Sequence, residues 1–291
     1  MKQKLSIAQV SLGKEFREKS MDIKGYFAFA RELDLDAVDL LNYPVFWEGT
    51  DDKKSVIKKY SSEYGLPVAC YGTNNDFSTS DSNKFNEEKN KILSAIREAH
   101  DLKIPYVRIF GGHYDPRKTD NPVLNYTEGF KKVIAGIEAV IIEAEKKGVV
   151  LALENHGGLP GHVFELEKII NYFHSRNLKI NLDLGNLRAD NMNEMEVDHI
   201  ASIRRIFKDI VHIHIKDFRK ATILKDRDTE AAICGTGFIP IKQCMAELHD
   251  LGYKGCLSLE YEASFILPER EGIKKCYQYL RDVRDYIELL S

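Results

Sequence analysis

The amino-acid sequence predicts an α/β protein folded as a closed (β/α)8 (TIM) barrel. Three observations carry that expectation. Eight short aliphatic runs alternate with helix-patterned stretches along the chain, the rhythm of parallel strands joined by right-handed helical crossovers. Several runs end abruptly in carboxylates and imidazoles, at the strand ends where barrels of this kind build their active sites. The 291 residues show no linker-like shift in composition, and barrels of about 250 residues commonly fold as one unit. Residues 1–291 are therefore expected to form one domain. An open doubly wound sheet shares the rhythm, but a count of eight favours closure.

The elements follow in order. Leu5 to Val10 reads as the first strand, and Met21 to Leu33 as a helix from the spacing of Ile23, Phe27, Ala30 and Leu33, with Ser20 as the expected cap. Ala37 to Leu41 is the second strand. The loop NYPVFWEGT precedes a charged helix from about Asp52 to Tyr64, which Gly65 should terminate. Pro67 to Tyr71 and Pro105 to Phe110 are the third and fourth strands, separated by a helix reaching about Lys103; a further helix runs from about Tyr126 to Lys147. Val149 to Glu154 is the fifth strand. The period then continues with a helix near Val163 to Ser175, a strand around Ile180, a helix near Glu194 to Lys208 and a strand from Ile210. After an insertion, Phe218 to Ile239, come a helix ending near Leu251, a last strand from Gly255 to Glu260 and a closing helix from Ile273 to Leu290.

Composition excludes several classes. A formal net charge of −3 with mixed acidic and basic residues offers no basic stripe for phosphates, so nucleic acid is not an expected partner. Five cysteines, with no C-x-x-C pair, suit reduced thiols in a cytoplasmic protein better than a disulfide frame or structural zinc. The opening MKQKLSIAQVSLG is too briefly apolar for a signal-peptide core or a membrane span. Gly111, Gly112, Gly157 and Gly158 do not form a G-x-G-x-x-G or P-loop pattern, so no nucleotide is implied.

Chemistry concentrates on four strand ends. In VVLALENHGG, alternation puts Val150, Ala152 and Glu154 on one face. KINLDLGN places Asn181 and Asp183 together, IVHIHIKD places His212, His214 and Lys216 together, and CLSLEYE places Ser258, Glu260 and Glu262 together. Glu154, Asp183, His214 and Glu260 then form an oxygen-rich set with one imidazole. Such a set suits one divalent metal ion, Mn²⁺, Mg²⁺, Co²⁺ or Zn²⁺.

These motifs, with YGTNNDF after the third strand, VRIFGG on the fourth and the run GTGFIPIKQCMAELHDLGYKGCLSLEYE, resemble the xylose isomerase-like family of sugar phosphate isomerases and epimerases over nearly the whole chain. The resemblance implies a metal-dependent isomerase or epimerase for a sugar or sugar phosphate, working through an enediolate stabilised by the metal. It carries the metal-ligand roles of the ketose 3-epimerases onto Glu154, Asp183, His214 and Glu260. It also makes Glu154 and Glu260 the proton-transferring pair, one removing and the other returning a proton from opposite faces of a carbon.

Around that set, His156, Arg108, His113, Lys216 and Trp47 are the candidate substrate-binding residues, each with a plainer alternative. His156 either fixes a sugar hydroxyl or bonds the glycine loop, and His113 poses the same question. Tyr43, Phe46 and Trp47 either stack on a sugar face or form a packed lid. Arg108 is aimed inward by its strand and, with Lys216 and Arg219, can hold a phosphate. His212 either orients a ligand or is a satisfied interior histidine. His100, His174, His199 and His249 fall on helices and are expected at the surface. The expected partner is a small carbohydrate, with assembly into a homo-oligomer left open. Three rivals remain: a non-catalytic sugar-binding protein, which would bind sugar without metal; a lyase on the same scaffold, such as an inosose dehydratase or an enzyme acting on 3-keto sugars; and an endonuclease IV-like DNA repair enzyme. The last needs extra histidine ligands that DLLNYP and YGTNND do not supply.

Overall fold

A computed structural model describes residues 2–115, 120–187, 197–225 and 228–290. Eight parallel strands close a barrel: β1 (Lys4–Ala8), β2 (Ala37–Leu41), β3 (Val68–Gly72), β4 (Tyr106–Phe110), β5 (Val150–Glu154), β6 (Leu178–Asp183), β7 (Ile210–Ile215) and β8 (Cys256–Leu259). Neighbours in sequence pair in space, and β1 closes on β8 with Lys4 opposite Cys256 and Ile7 opposite Leu259. Each strand returns through a helix. These are α2 (Ile23–Glu32), α3 (Lys53–Tyr64), α4 (Ser82–Leu102), α5 (Pro122–Lys147), α6 (Val163–Phe173), α7 (His199–Ile206), α8 (Ile241–Asp250) and α9 (Glu269–Leu290), while the short α1 (Gly13–Arg17) follows β1 after a 3-10 turn, Gln9–Leu12.

Strand alternation divides the core into two environments. Val107, Ile109, Leu151, Leu153, Ile180, Leu182, Ile213, Ile215, Leu257 and Leu259 are fully buried and belong to the strand face opposite Glu154, where the helices pack. The inward face is different. Ser6, Asp39, Asn181, His212 and Ser258 are buried there, whereas barrel interiors are ordinarily filled by branched aliphatic residues. A polar interior of this kind is costly unless its groups find partners.

Helix ends follow local chemistry. Asp22, not Ser20, caps α2, its carboxylate accepting from the Gly25 amide at 2.7 Å, because the helix starts at Ile23 and leaves Ser20 ahead of the cap position by two residues. Asp52 caps α3, and Gly65 ends it in the left-handed conformation at φ 64°. The start of α7 expected near Glu194 lies outside the described residues. After β7, Asp217–Lys220 pairs antiparallel with Thr229–Ala232. This insertion is fastened by two carboxylates: Asp217 accepts from the amides of Phe218, Gly235, Gly237 and Ile239, and Glu230 from those of Ile223 and Leu224. All five cysteines are buried and free. No helix among the described residues is long and apolar enough to cross a membrane.

Candidate metal centre at the strand ends

Strand register brings the four expected residues to one place. Phe110 lies opposite Glu154, Glu154 opposite Asn181, Asp183 opposite His214, and His214 opposite Ser258, so Glu154, Asp183, His214 and Glu260 occupy adjacent strand ends. One donor atom from each lies within 4.8 Å of the others. His214 Nδ1 is 3.1 Å from Glu260 Oε1 and 3.6 Å from Glu154 Oε2. All four residues are buried, with exposures of 1%, 0%, 3% and 8% in chain order. Three carboxylates placed that close, out of water, repel one another unless cations intervene.

Two cations do intervene. Arg108 Nε is 3.1 Å from Glu154 Oε2, and Lys216 Nζ is 2.9 Å from Asp183 Oδ2, 3.1 Å from Glu260 Oε2 and 3.2 Å from Glu262 Oε1. Gly185 makes room for this lysine, since a Cβ there would stand 2.5 Å from Lys216 Cγ. The charges settle accordingly. Burial works to raise Glu154, but the Arg108 guanidinium and His214 outweigh it and hold the carboxyl down at about 2. Burial is likewise overcome at Glu260, kept well below its ordinary range by His214 and Lys216. At Asp183 burial wins over the nearby Lys216, with Glu260 and Glu154 adding repulsion, and its carboxyl is pushed up to about 7. His214 and Lys216 are desolvated, yet the surrounding carboxylates raise both well above their ordinary values.

The remaining expected residues take various positions. Arg108 is inward, as alternation requires, but its fork is committed to the protein: Nη1 donates to Thr73 O at 2.7 Å, Nη2 to Tyr43 Oη at 3.1 Å, and the guanidinium lies over the Phe110 ring. Its charge partner is the Glu154 carboxylate. His156 stacks on Phe110, ring centroids 4.1 Å apart, with burial lowering its pKa to about 4 and Nδ1 lacking a hydrogen-bond partner. His113 meets His156 edge-on at 5.7 Å and is exposed. Trp47 is buried, its indole donating to Leu41 O at 2.7 Å, and packs as part of the loop wall; this is the packed reading of the aromatic loop. Arg219 pairs with Glu230 inside the insertion. His199 is a correction, because it is buried at the start of α7 with Nε2 3.0 Å from Leu184 O.

Further residues build the site, and of these only Asn181 stood in the strand-end pattern. Asn155 locks β5 to β6, donating to Asp183 O and accepting from the Asp183 amide, both at 2.8 Å. Asn186 donates to Asp183 Oδ2 at 3.0 Å and Glu154 Oε1 at 3.3 Å. Asn181 donates to Glu154 Oε2 at 3.2 Å. Asp39 accepts from His212 Nε2 at 2.6 Å; a lone carboxylate in the aliphatic run AVDLL was the available signal. The donor set of three carboxylates and one imidazole, held by neighbouring amides, fits a divalent ion.

A family model described as xylose isomerase-like TIM barrel matches residues 27–283. The fold is similar to that of the IolI protein with a bound zinc atom, at 18% identity and a TM-score of 0.77 over 98% of this chain and 99% of that one. It is also similar to the probable 3-DHS dehydratase AsbF of Bacillus anthracis, with 18% identity, TM-score 0.73 and coverage of 96% and 98%. A D-psicose 3-epimerase solved in the presence of D-fructose is comparable, with 18% identity, TM-score 0.70 and coverage of 97% and 99%. No curated protein matches the sequence. The closed eight-stranded barrel and a family match spanning most of its length place the chain in the xylose isomerase-like TIM barrel family.

Proposed function

We propose that the chain is a divalent-metal-dependent isomerase or epimerase for a sugar or sugar phosphate, acting by proton transfer at a carbon beside a carbonyl, with residues 1–291 as one catalytic unit. One observation carries the reading: Glu154, Asp183, His214 and Glu260, from four consecutive strand ends, converge within 4.8 Å in a buried setting. The epimerase among the structural neighbours supports the substrate class. A divalent ion bound by these four supplies Lewis-acid polarisation of the substrate carbonyl.

The protein's own groups supply the rest. Asp183 is fixed by Gly185 and Asn186 amides on Oδ1 and serves as a ligand. Glu154 has Oε2 engaged by Arg108 and Asn181, while Oε1 accepts a longer bond from Asn186 at 3.3 Å and is the freer oxygen to take a carbon-bound proton. Glu260 reaches the same space from β8, three strands away around the barrel, so it addresses a bound sugar from another side. Lys216, held between Asp183 and Glu260, is placed to donate to a substrate oxygen that gains charge as the proton leaves. Exchange of one proton for another on opposite faces inverts the carbon.

Glu154→Gln and Glu260→Gln retain a side-chain oxygen but lose the proton acceptor. Each should keep metal by elemental analysis and lose turnover by about 10²- to 10⁴-fold. The assay incubates ketoses, their phosphates, inososes and 3-keto glycosides with protein and Mn²⁺ in D₂O and follows C–H exchange by NMR. Near wild-type inversion by both variants would discard the two-carboxylate scheme.

A lyase reading has its own support in His156. Its buried Nδ1 has no partner, two residues from Glu154, where a third proton-handling group would serve expulsion of a β-substituent; a dehydratase is among the neighbours. Release of water or an aglycone in the same NMR assay, in place of a stereoisomer, selects this reading.

A further inference from the structure

We infer that Asp39, on the opposite side of the barrel interior, is a positioning residue for His214, holding that imidazole in the tautomer and orientation a metal requires. The inference rests on the metal reading of the strand-end site.

The argument begins with which His214 nitrogen faces which group. Nδ1 points to the carboxylates, 3.1 Å from Glu260 and 3.6 Å from Glu154. Nε2 points the other way, into the barrel, 3.8 Å from Asp39 Oδ2. A neutral imidazole carries one N–H, and coordination through Nδ1 leaves that hydrogen on Nε2. A metal-bound histidine almost always gives this second N–H to a carboxylate, carbonyl or water. Asn181 Nδ2, at 3.3 Å from Nδ1 and 3.4 Å from Nε2, is itself a donor and cannot accept it. Asp39 can.

Asp39 is also built for a second donor. It is buried, and its Oδ2 accepts from His212 Nε2 at 2.6 Å, while Oδ1 has no partner. A buried carboxylate with one oxygen unsatisfied is costly. His212 and His214 lie two residues apart on one strand face with their rings edge to face, centroids 5.4 Å apart, so both imidazoles converge on the same carboxylate. A shift of under about 1 Å brings the Nε2–H of His214 into hydrogen-bond range of Oδ2, an oxygen with a second lone pair beside the one His212 uses. Asp39 is thus the shared acceptor that both histidines face separately, and the acid among aliphatic residues in β2 acquires a purpose beyond pairing with His212.

The test compares Zn²⁺ affinity of the purified protein, Asp39→Asn and His212→Gln, by competition with a chromophoric chelator, with thermal melts of each. Asp39→Asn should bind Zn²⁺ about 10- to 100-fold more weakly, while His212→Gln, which leaves Asp39 to His214, stays near wild type. Equal affinity in Asp39→Asn, or an equal loss in both variants, overturns the inference. A second measurement needs no variant: long-range ¹H–¹⁵N spectra of the zinc-loaded wild type should show His214 bound through Nδ1 with a protonated, exchange-protected Nε2. Binding through Nε2 overturns the inference even if Asp39→Asn fails to fold. Absence of zinc binding by the wild type instead removes the metal reading itself.

Discussion

Removing the Arg108 guanidinium leaves the Glu154 carboxylate buried at 1% exposure beside Glu260 and Asp183. Breaking a buried pair by deleting one partner costs about 3 to 5 kcal/mol, because the other charge stays behind. Arg108→Met should therefore lower stability by about that amount at pH 8 in denaturant titrations. The loss should shrink as pH falls, since with the guanidinium gone only His214 among the two lowering groups still opposes the burial that raises Glu154, and the carboxyl takes a proton sooner. A pH-independent loss would mean that packing over Phe110, rather than charge, is what Arg108 supplies. The inward aim of Arg108 was legible from the alternation in VRIF, because side-chain direction on a strand is a local property. Its partner was not. That depends on which strands are neighbours and in what register, as with Asp39 and His212, 173 residues apart. Trp47 and His199 illustrate the same boundary: an aromatic loop and a helical histidine look alike whether they face solvent or pack, and tertiary contact decides.

Helix α5 is packed against the loop after β3 through a missing side chain. Gly136 lies under the ring of Phe77, where a Cβ would meet ring carbons at 2.2 Å. Helix propensity alone favours alanine over glycine by about 1 kcal/mol, but Phe77 is fully buried and its loop carries Asn75, which bonds both the amide and carbonyl of Phe110. Overpacking should win, so Gly136→Ala is expected to destabilise by about 1 to 3 kcal/mol. Combining it with Phe77→Leu should recover part of the loss, measured by urea unfolding. A stabilised Gly136→Ala protein would show that the loop yields and propensity prevails. At this scale the sequence was informative about existence and type: all eight strands and their helices appear where aliphatic runs and helical spacing put them, β2 residue for residue. Boundaries moved where side-chain chemistry intervenes. α9 begins at Glu269, ahead of its first apolar stripe, because that carboxylate accepts from the Lys14 and Glu15 amides and ties the last helix to the first turn.

Closure of the barrel would make metal binding at this cluster a property of the whole chain, because β5, β6, β7 and the end of β8 each present one of the four residues that could hold an ion. An ion held by all four should resist their separation, raising stability by about 2.7 kcal/mol at a hundredfold excess over Kd. The gain should depend on pH with a definite sign. In the metal-free fold, burial raises Asp183 to about 7 from its ordinary 3.8, so between those values the folded chain holds a proton that the unfolded chain has released. Asp183 therefore lowers metal-free stability as pH climbs through that window, and the effect is complete above about 7. Glu154 runs the other way: depressed to about 2 from 4.5, it contributes stability above 4.5 that is lost as pH falls toward 2. Ligands must shed their protons to bind, so metal binding below pH 7 should release a proton from Asp183. His214, raised well above its ordinary 6.5, should extend that release to higher pH. Calorimetry of Mn²⁺ binding in buffers of differing ionisation enthalpy should then register release of about one to two protons near pH 6, with affinity and thermal stabilisation both rising toward pH 8. Affinity that stayed flat from pH 5 to 8, with no buffer dependence of the heat, would mean that Asp183 and His214 are not among the ligands.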